Sequence, residues 1–203
     1  MTTPLPESPS LESVLDGIWA TLAEGCARSR DPLHTATIAT LRDAAPRVRT
    51  VVLQHVDRST GTLGFHTDVR APKAEDLAAT PVLEWHFYDR SRKTQIRARA
   101  EATLHTDDEI ADQAWAGTPP LARRCYGQAL GPGQAAEGPD VALPSLVGLE
   151  GDDDDIIRAC RENFCVVRTR VTEIDWLYLR FAGHRRAHFE RDGDAWAGRW
   201  LAP

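Results

Sequence analysis

No stretch of this 203-residue chain approaches the roughly 20 consecutive apolar residues that a bilayer span requires. The N-terminal MTTPLPESPS has no charged region followed by an apolar one, so no secretory leader is signalled and a cytoplasmic protein with no membrane contact is expected. Cysteine is sparse. Cys26, Cys125, Cys160 and Cys165 are scattered and form no C-x-x-C pair, which removes the usual signs of structural zinc or a redox dithiol and leaves four reduced, mostly packed thiols. Basic residues are in deficit, 24 against 30 acidic for a net charge of -6, so the many Lys/Arg contacts to phosphate behind nonspecific nucleic-acid binding are not available. G-x-S-x-G, the P-loop and G-x-G-x-x-G are all missing, and with them the commonest hydrolase, NTPase and dinucleotide fingerprints.

What remains is the balance of a compact domain, 42% hydrophobic and 27% charged. A chain of this length buries about 70% of its unfolded surface, so residues 1–203 are read as one domain with one core. Leu11, Val14, Leu15, Ile18, Trp19 and Leu22 recur at helical spacing between Ser10 and Gly25, predicting an N-terminal helix over about 10–25. Strand-like runs follow at 34–41, 47–57 and 63–68, the last two joined by the turn-rich RSTG. In VRAPKAEDLAATP, Pro72 suits a first helical position and Pro81 a stop. Residues 82–90 and 94–105 read as a second hairpin, and helical signals from a Thr106 cap extend to Tyr126.

Five Gly and three Pro over 131–155 predict a long loop or lid. The acidic run Asp152 to Asp155 lacks the alternating spacing of a calcium loop and reads as a helix cap facing water. Strand patterns return from Phe164 to the end. Six or seven strands with few helices and no βαβ alternation predict an antiparallel barrel with helices outside, a mainly β (α+β) fold.

Three features could carry chemistry. Arg49 lies in a strong strand and Lys73 in the first turn of the helix after LGFHTD, where free N–H groups and the dipole already attract phosphate; both residue types at such places are also commonly just solvated. Gln95 and Arg97 share one face of the strand TQIRARA and need partners if covered, which a heteroaromatic edge could supply; by periodicity alone this is an ordinary solvent face. Three Trp, five Arg and two His crowd the C-terminal stretch from Ile174, a composition suited to flat ligands or a subunit interface. His184 and His188 are four apart, but the flanking pattern is β and a third ligand is not evident, so no metal is expected.

The runs RTVVL with a polar residue after it (Arg49 to Gln54), GFHTDVRAPK, FYDRSRKTQIR and W…HRR…W…RWLAP together resemble the pyridoxamine 5'-phosphate oxidase-like family of FMN-binding split barrels. The spacing of 22 from Lys73 to Gln95 and of ten from Trp176 to Arg186 is similar to that of the true oxidases. The resemblance implies a six-stranded antiparallel Greek-key split barrel with flanking helices, working as a homodimer with FMN in clefts between subunits. Arg49 and Lys73 would then bind the FMN phosphate. The backbone of Thr50, Val51 and Val52 and the pair His66 and Thr67 would line the flavin, and Gln95 would meet the isoalloxazine edge. Trp176 and Arg186 would come from the partner subunit, and Gln134 is a further matched position.

Departures fall on the substrate half. The family Lys after the R-x-V-L-L run is Gln54 here. The R-L-H-D-R segment reads Ala182 to Arg186, keeping a histidine at His184 and placing Arg185 beside it, but losing the first arginine. The Tyr, Arg and Ser that would grip a substrate phosphate are unmatched, with Gly117, Leu121 and Cys125 nearest. The resemblance therefore implies an FMN-dependent oxidoreductase acting on a small molecule through an altered site built on Gln54, His184 and Arg185. A genuine pyridoxamine 5'-phosphate oxidase and a non-catalytic flavin-storage protein are the alternatives.

Overall fold

The computed structural model describes residues 9–138 and 160–203, so most of the Gly/Pro-rich stretch and the run Asp152 to Asp155 lie outside the described residues. Helix α1 (Leu11–Ala27) opens on Ser10, whose side chain accepts from the Ser13 N–H at 3.1 Å. It passes beyond Gly25, the expected terminus. That glycine is a packing notch: a Cβ there would stand 2.8 Å from the Leu33 Cβ.

Strands β1 (Thr35–Arg42) and β2 (Ala45–Val52) form a hairpin whose two turn residues, Asp43 and Ala44, have φ of 52° and 61°. Left-handed geometry at both positions matches the twist of the strands it joins. The strand expected over 47–57 is broken after Val52 and resumes as β3 (His55–Asp57), which pairs with β4 (Thr62–Asp68) across the RSTG turn. Helix α2 (Pro72–Ala79) begins on its proline as expected, and β5 (Val82–Asp89) and β6 (Thr94–His105) form the second hairpin. Asp108, not Thr106, caps α3 (Glu109–Gly117), accepting from the Ala111 N–H at 3.0 Å, and a short α4 (Pro120–Arg123) follows. β7 (Phe164–Tyr178), β8 (Arg185–Asp192) and β9 (Ala195–Leu201) complete the sheet.

The sheet has nine strands rather than six, in the order β2-β1-β5-β6-β7-β4-β3, with β8 on β7 and β9 on β8. Every pairing is antiparallel. The count rises because β2 and β3 are separate and because β7 is long enough to pair with β4 through its first half and with β8 through its second. The two strands ending the path, β2 and β3, adjoin in sequence. The Gln54 N–H donates to the Gly64 carbonyl at 2.9 Å where the sheet curls on itself, and the result is a mainly β barrel with helices outside.

Inside, Trp85 stacks on Phe87 with centroids 5.6 Å apart and meets the edge of Phe65, while Ile38, Leu53, Leu63, Ile96, Val167 and Ile174 fill the remaining core. Helix α1 covers one flank with Val14, Ile18, Trp19 and Leu22, and Trp196 of β9 packs on Trp19. Among the described residues no helix is long and apolar enough to cross a membrane.

The β5–β6 turn is tied to the helix–barrel junction by Arg92, which pairs with Asp89, with Asp31 at 2.8 Å and with Glu24 at 3.3 Å. Hydrogen bonds from Arg92 hold the Asp31 carboxyl below the usual carboxylate range. The Asp89 side chain is 1% exposed, so an Arg92→Met variant leaves a buried carboxylate without its cation. That loss is expected to cost about 3–5 kcal/mol of unfolding free energy in urea melts. A change under about 1 kcal/mol would show the turn to be held by other contacts.

Candidate functional site

The register of β1 and β2 pairs Arg49 with Ile38, so Arg49 leaves its strand on the core side. Its guanidinium donates to Thr40 Oγ1 and reaches Asp76 of α2 at 3.3 Å. Arg42 grips the other oxygen of Asp76 at 2.6 Å. Burial pushes the Asp76 carboxyl up, but bonds from Thr40 and Arg42 and the charges of Arg42 and Arg49 outweigh it and hold the group below its ordinary value. Asp76 thus anchors Arg49 beside the start of α2, a role its place near a helix N-terminus did not disclose.

Lys73, in the first turn of α2, donates from Nζ to Thr67 Oγ1 at 2.9 Å. No carboxylate pairs with it among the described residues. Burial, and next the like charge of Arg49, push its ammonium below the ordinary lysine value. The helix start has Ala71 at its cap, with no side-chain hydrogen bond to its amides. Two converging cations, a helix N-terminus without a side-chain cap and the Thr67 hydroxyl could hold a phosphate dianion. Next to it runs β2, which ends the strand path and among the described residues pairs only with β1, so one edge of Thr50, Val51 and Val52 offers backbone donors and acceptors. The side chains of Thr50 and Val52 are exposed, while Val51 points into the core.

A second group lies on the outer face of the sheet. Gln95 and Arg97 are half-buried there, and the Gln95 Oε1 is 3.3 Å from His86 Nε2 on β5. Asp175 of β7 is flanked by Arg97 at 3.2 Å and by Arg186 of β8 at 2.7 Å. Burial pushes the Asp175 carboxyl up, but the hydrogen bond from Arg186 and the charges of both arginines hold it below the usual range. Gln95 is the cross-strand partner of Leu177, and Leu177 that of Arg186, so Gln95 and Arg186 occupy one row on one face. His86 and Asp175, neither singled out in the sequence, position them; a strand carboxylate placed opposite two arginines was the available signal.

Three expected members stand apart from these groups. Trp176 is 3% exposed, pairs with Ile96 and Ala187 and stacks on Tyr178, so its ring lies inside and not on the face of Arg186. Adjacent strand residues point to opposite faces, so the side chains of His66 and Thr67 diverge: Thr67 faces Lys73, and the His66 ring packs edge-on against Phe164 at 4.9 Å. Gln134 is exposed, its Oε1 accepting from the Gly131 N–H at 3.0 Å. Of the substrate-side residues, Gln54 is exposed where the barrel closes. His184 accepts the Arg180 N–H at Nδ1, 3.1 Å away, which leaves Nε2 to carry the proton of the neutral ring, and Arg185 opens β8 beside it. No cluster of metal-ligating side chains occurs among the described residues.

The family profile described as pyridoxamine 5'-phosphate oxidase, FMN-binding domain, matches residues 17–106. A curated protein of Hyphomonas neptunium named pyridoxine/pyridoxamine 5'-phosphate oxidase is 30% identical over 190 residues, spanning 90% of this chain and 83% of its own. The fold is similar to that of a pyridoxamine 5'-phosphate oxidase-related, FMN binding protein from Nostoc punctiforme, at a TM-score of 0.73 and 23% identity over 92% of this chain and 96% of that one. It is also similar to PhzG from Burkholderia lata, solved in complex with tetrahydrophenazine-1-carboxylic acid, at a TM-score of 0.68 and 20% identity over 97% and 95% of the two chains. The residues present fit FMN, since among the described residues Lys73 makes no ion pair, the α2 amides have no side-chain cap and one edge of β2 is unpaired. The chain belongs to the pyridoxamine 5'-phosphate oxidase family of FMN-binding proteins, and its cofactor is FMN.

Proposed function

We propose that this protein is an FMN-dependent oxidoreductase that works as a homodimer and acts on a small molecule other than pyridoxamine 5'-phosphate. The observation that carries the reading is the Arg49 and Lys73 pair at the uncapped start of α2. When bound, FMN supplies hydride or electron transfer through its ring system. Arg49 and Lys73 would hold the phosphate, with Asp76 fixing the first and Thr67 the second. The free edge of β2 at Thr50 to Val52 would bond the ring system, and Gln95, its carbonyl end engaged by His86, would offer its amide N–H to a ring acceptor. The name of the Hyphomonas oxidase supports redox chemistry over storage.

Gln54, His184 and Arg185 would meet the substrate, with His184 donating from Nε2. The test is anaerobic: FMN-loaded protein is mixed with NAD(P)H or with candidate amine and alcohol donors while the flavin absorbance is followed. Bleaching, then catalytic turnover once air is admitted, is expected with at least one donor. A flavin that no donor reduces would support storage instead.

A subunit contact through the outer sheet face is supported by its exposed apolar side chains. Leu41, Val48, Val52 and Tyr88 are each at least 39% exposed there. Trimming β9 would confuse the test, since Trp196 packs on Trp19 of the core. A Val48→Asp, Tyr88→Asp double variant is instead expected to run as a monomer in light scattering and to lose FMN. A monomer that keeps FMN at the wild-type affinity would contradict a shared cleft.

A further inference from the structure

Glycine in a helix interior weakens the helix, so its presence there calls for a reason in the packing. In α1, Gly25 has one, the close approach of Leu33. Gly17 has none among the described residues: a Cβ built on it meets nothing within 4 Å. The space left open lies in a cavity of about 940 Å³ between α1 and the β5–β6 turn, a volume typical of small-molecule sites.

From the helix, Gly17, Ala20 and Thr21 line this cavity, and the Thr21 hydroxyl is already spent on the Gly17 carbonyl at 2.6 Å. From the barrel comes Tyr178, half-buried, its ring held by stacking on Trp176 with centroids 6.0 Å apart. Ile96 and Tyr178 line the cavity, while Gln95 and Leu177 alternate with them onto the face of Arg186. The cavity and the Gln95 row therefore lie on opposite sides of the sheet.

The charged groups of the lining divide in two. Glu24, Asp31 and Asp89 are held by Arg92, and the side chains of Asp31 and Asp89 are only 7% and 1% exposed. Asp31 also accepts from the Leu33 N–H at 2.9 Å, and Asp89 from the Ser91 N–H at 2.7 Å. Arg28, Arg30 and Lys93 are exposed and make no ion pair among the described residues. Lys93 is held at φ 54°, a left-handed conformation that glycine would adopt without strain. The charges open to a ligand are thus mainly cationic.

We propose that this cavity is a second small-molecule site that takes an aromatic carboxylate, with its rings against Tyr178 and the bare backbone of Gly17 and its acid group at Arg28, Arg30 and Lys93. A guanidinium matches a carboxylate through two parallel N–H bonds, and a ring gains from offset or edge contact with a tyrosine. By helical rise Thr21 and Arg28 stand roughly 10 Å apart along α1, a span that suits a two-ring acid. The probe is 2-naphthoate.

FMN-loaded protein is titrated with 2-naphthoate by calorimetry at neutral pH while the flavin absorbance is followed. Saturation at one site per chain is expected, with the flavin band unchanged. The uncharged 2-naphthamide should bind at least about tenfold more weakly, having lost a charge-assisted contact. Gly17→Met carries a side chain into the open space, and should bind naphthoate at least about tenfold more weakly while melting no lower than wild type, since methionine is the better helix former. Should that variant fail to fold, naphthoate against naphthamide on the wild-type protein still decides. Heats that stay linear to about 5 mM overturn the proposal, as does naphthamide binding as tightly as naphthoate. So does wild-type affinity in Gly17→Met, or a flavin band that moves with the same midpoint and places the acid on the flavin.

Discussion

FMN affinity is expected to fall by about 10²- to 10⁴-fold when Arg49 and Lys73 are both replaced by alanine, because two charge-assisted contacts of roughly 1.5–3 kcal/mol each are lost. The barrel should survive the change. Asp76 keeps Arg42 at 2.6 Å and the Thr40 hydroxyl at 2.7 Å, so removing Arg49 does not strand a buried carboxylate. Lys73 gives up only a hydroxyl contact. Circular dichroism and melting curves close to wild type, together with lost flavin retention, are the expected pair of readings. Both cations would meet one phosphate, so the single variants should not add up to the double. Lys73 is already pushed below the ordinary lysine value of 10.5, by burial first and Arg49 second. A bound dianion reverses that push, so affinity should decline as pH rises through a point below 10.5, and Lys73→Ala should flatten the decline. FMN binding unchanged in the double variant would remove the phosphate assignment.

Much of this site was legible because its signals are local. Pro72 marks a helix start, the start implies free amides, and Lys73 then sits where a phosphate would. The strands carrying Arg49 and Gln95 announce themselves by alternation. What stayed hidden depends on register. Trp176 and Arg186 are separated by an even number of residues, which on one unbroken strand would place them on the same face. The turn between β7 and β8, with Gly183 at φ 110°, resets the alternation so that Leu177, not Trp176, meets Arg186.

The opposite is true of His66 and Thr67, whose divergence follows from their adjacency alone. The β1–β2 turn escaped notice because Asp43-Ala44 lacks the glycine that usually marks left-handed geometry. Gly25 misleads in the reverse sense, since a glycine at a helix end signals a terminus and gives no sign of Leu33 packed against it. Asp76 is invisible as an anchor because its arginines arrive from strands distant in the sequence.

Pyridoxamine 5'-phosphate is expected to be oxidised at trace rates at most, measured as peroxide or pyridoxal 5'-phosphate formed by FMN-loaded protein. An oxidase for this substrate must fix its phosphate at one end and its amine at the other, so that the carbon losing hydride lies against the flavin at near-attack distance. The positions that would do so carry the wrong groups. Gln54, exposed at the barrel closure, replaces a lysine, and Ala182, exposed before β8, replaces an arginine. On the α3–α4 side Leu121 is 75% exposed and offers neither charge nor hydroxyl. Losing only two charged contacts, at roughly 1.5–3 kcal/mol each, lowers kcat/KM by about 10²- to 10⁴-fold. The Hyphomonas relative bears the oxidase name, but 30% identity leaves the substrate contacts free to differ. Restoring charge should then restore activity: a Gln54→Lys, Ala182→Arg double variant is expected to gain at least about tenfold in kcat/KM for pyridoxamine 5'-phosphate, most of it through KM. Efficient turnover by the unmodified protein at micromolar substrate would show that other cations hold the phosphate, and a double variant that gains nothing would place the substrate elsewhere on the flavin.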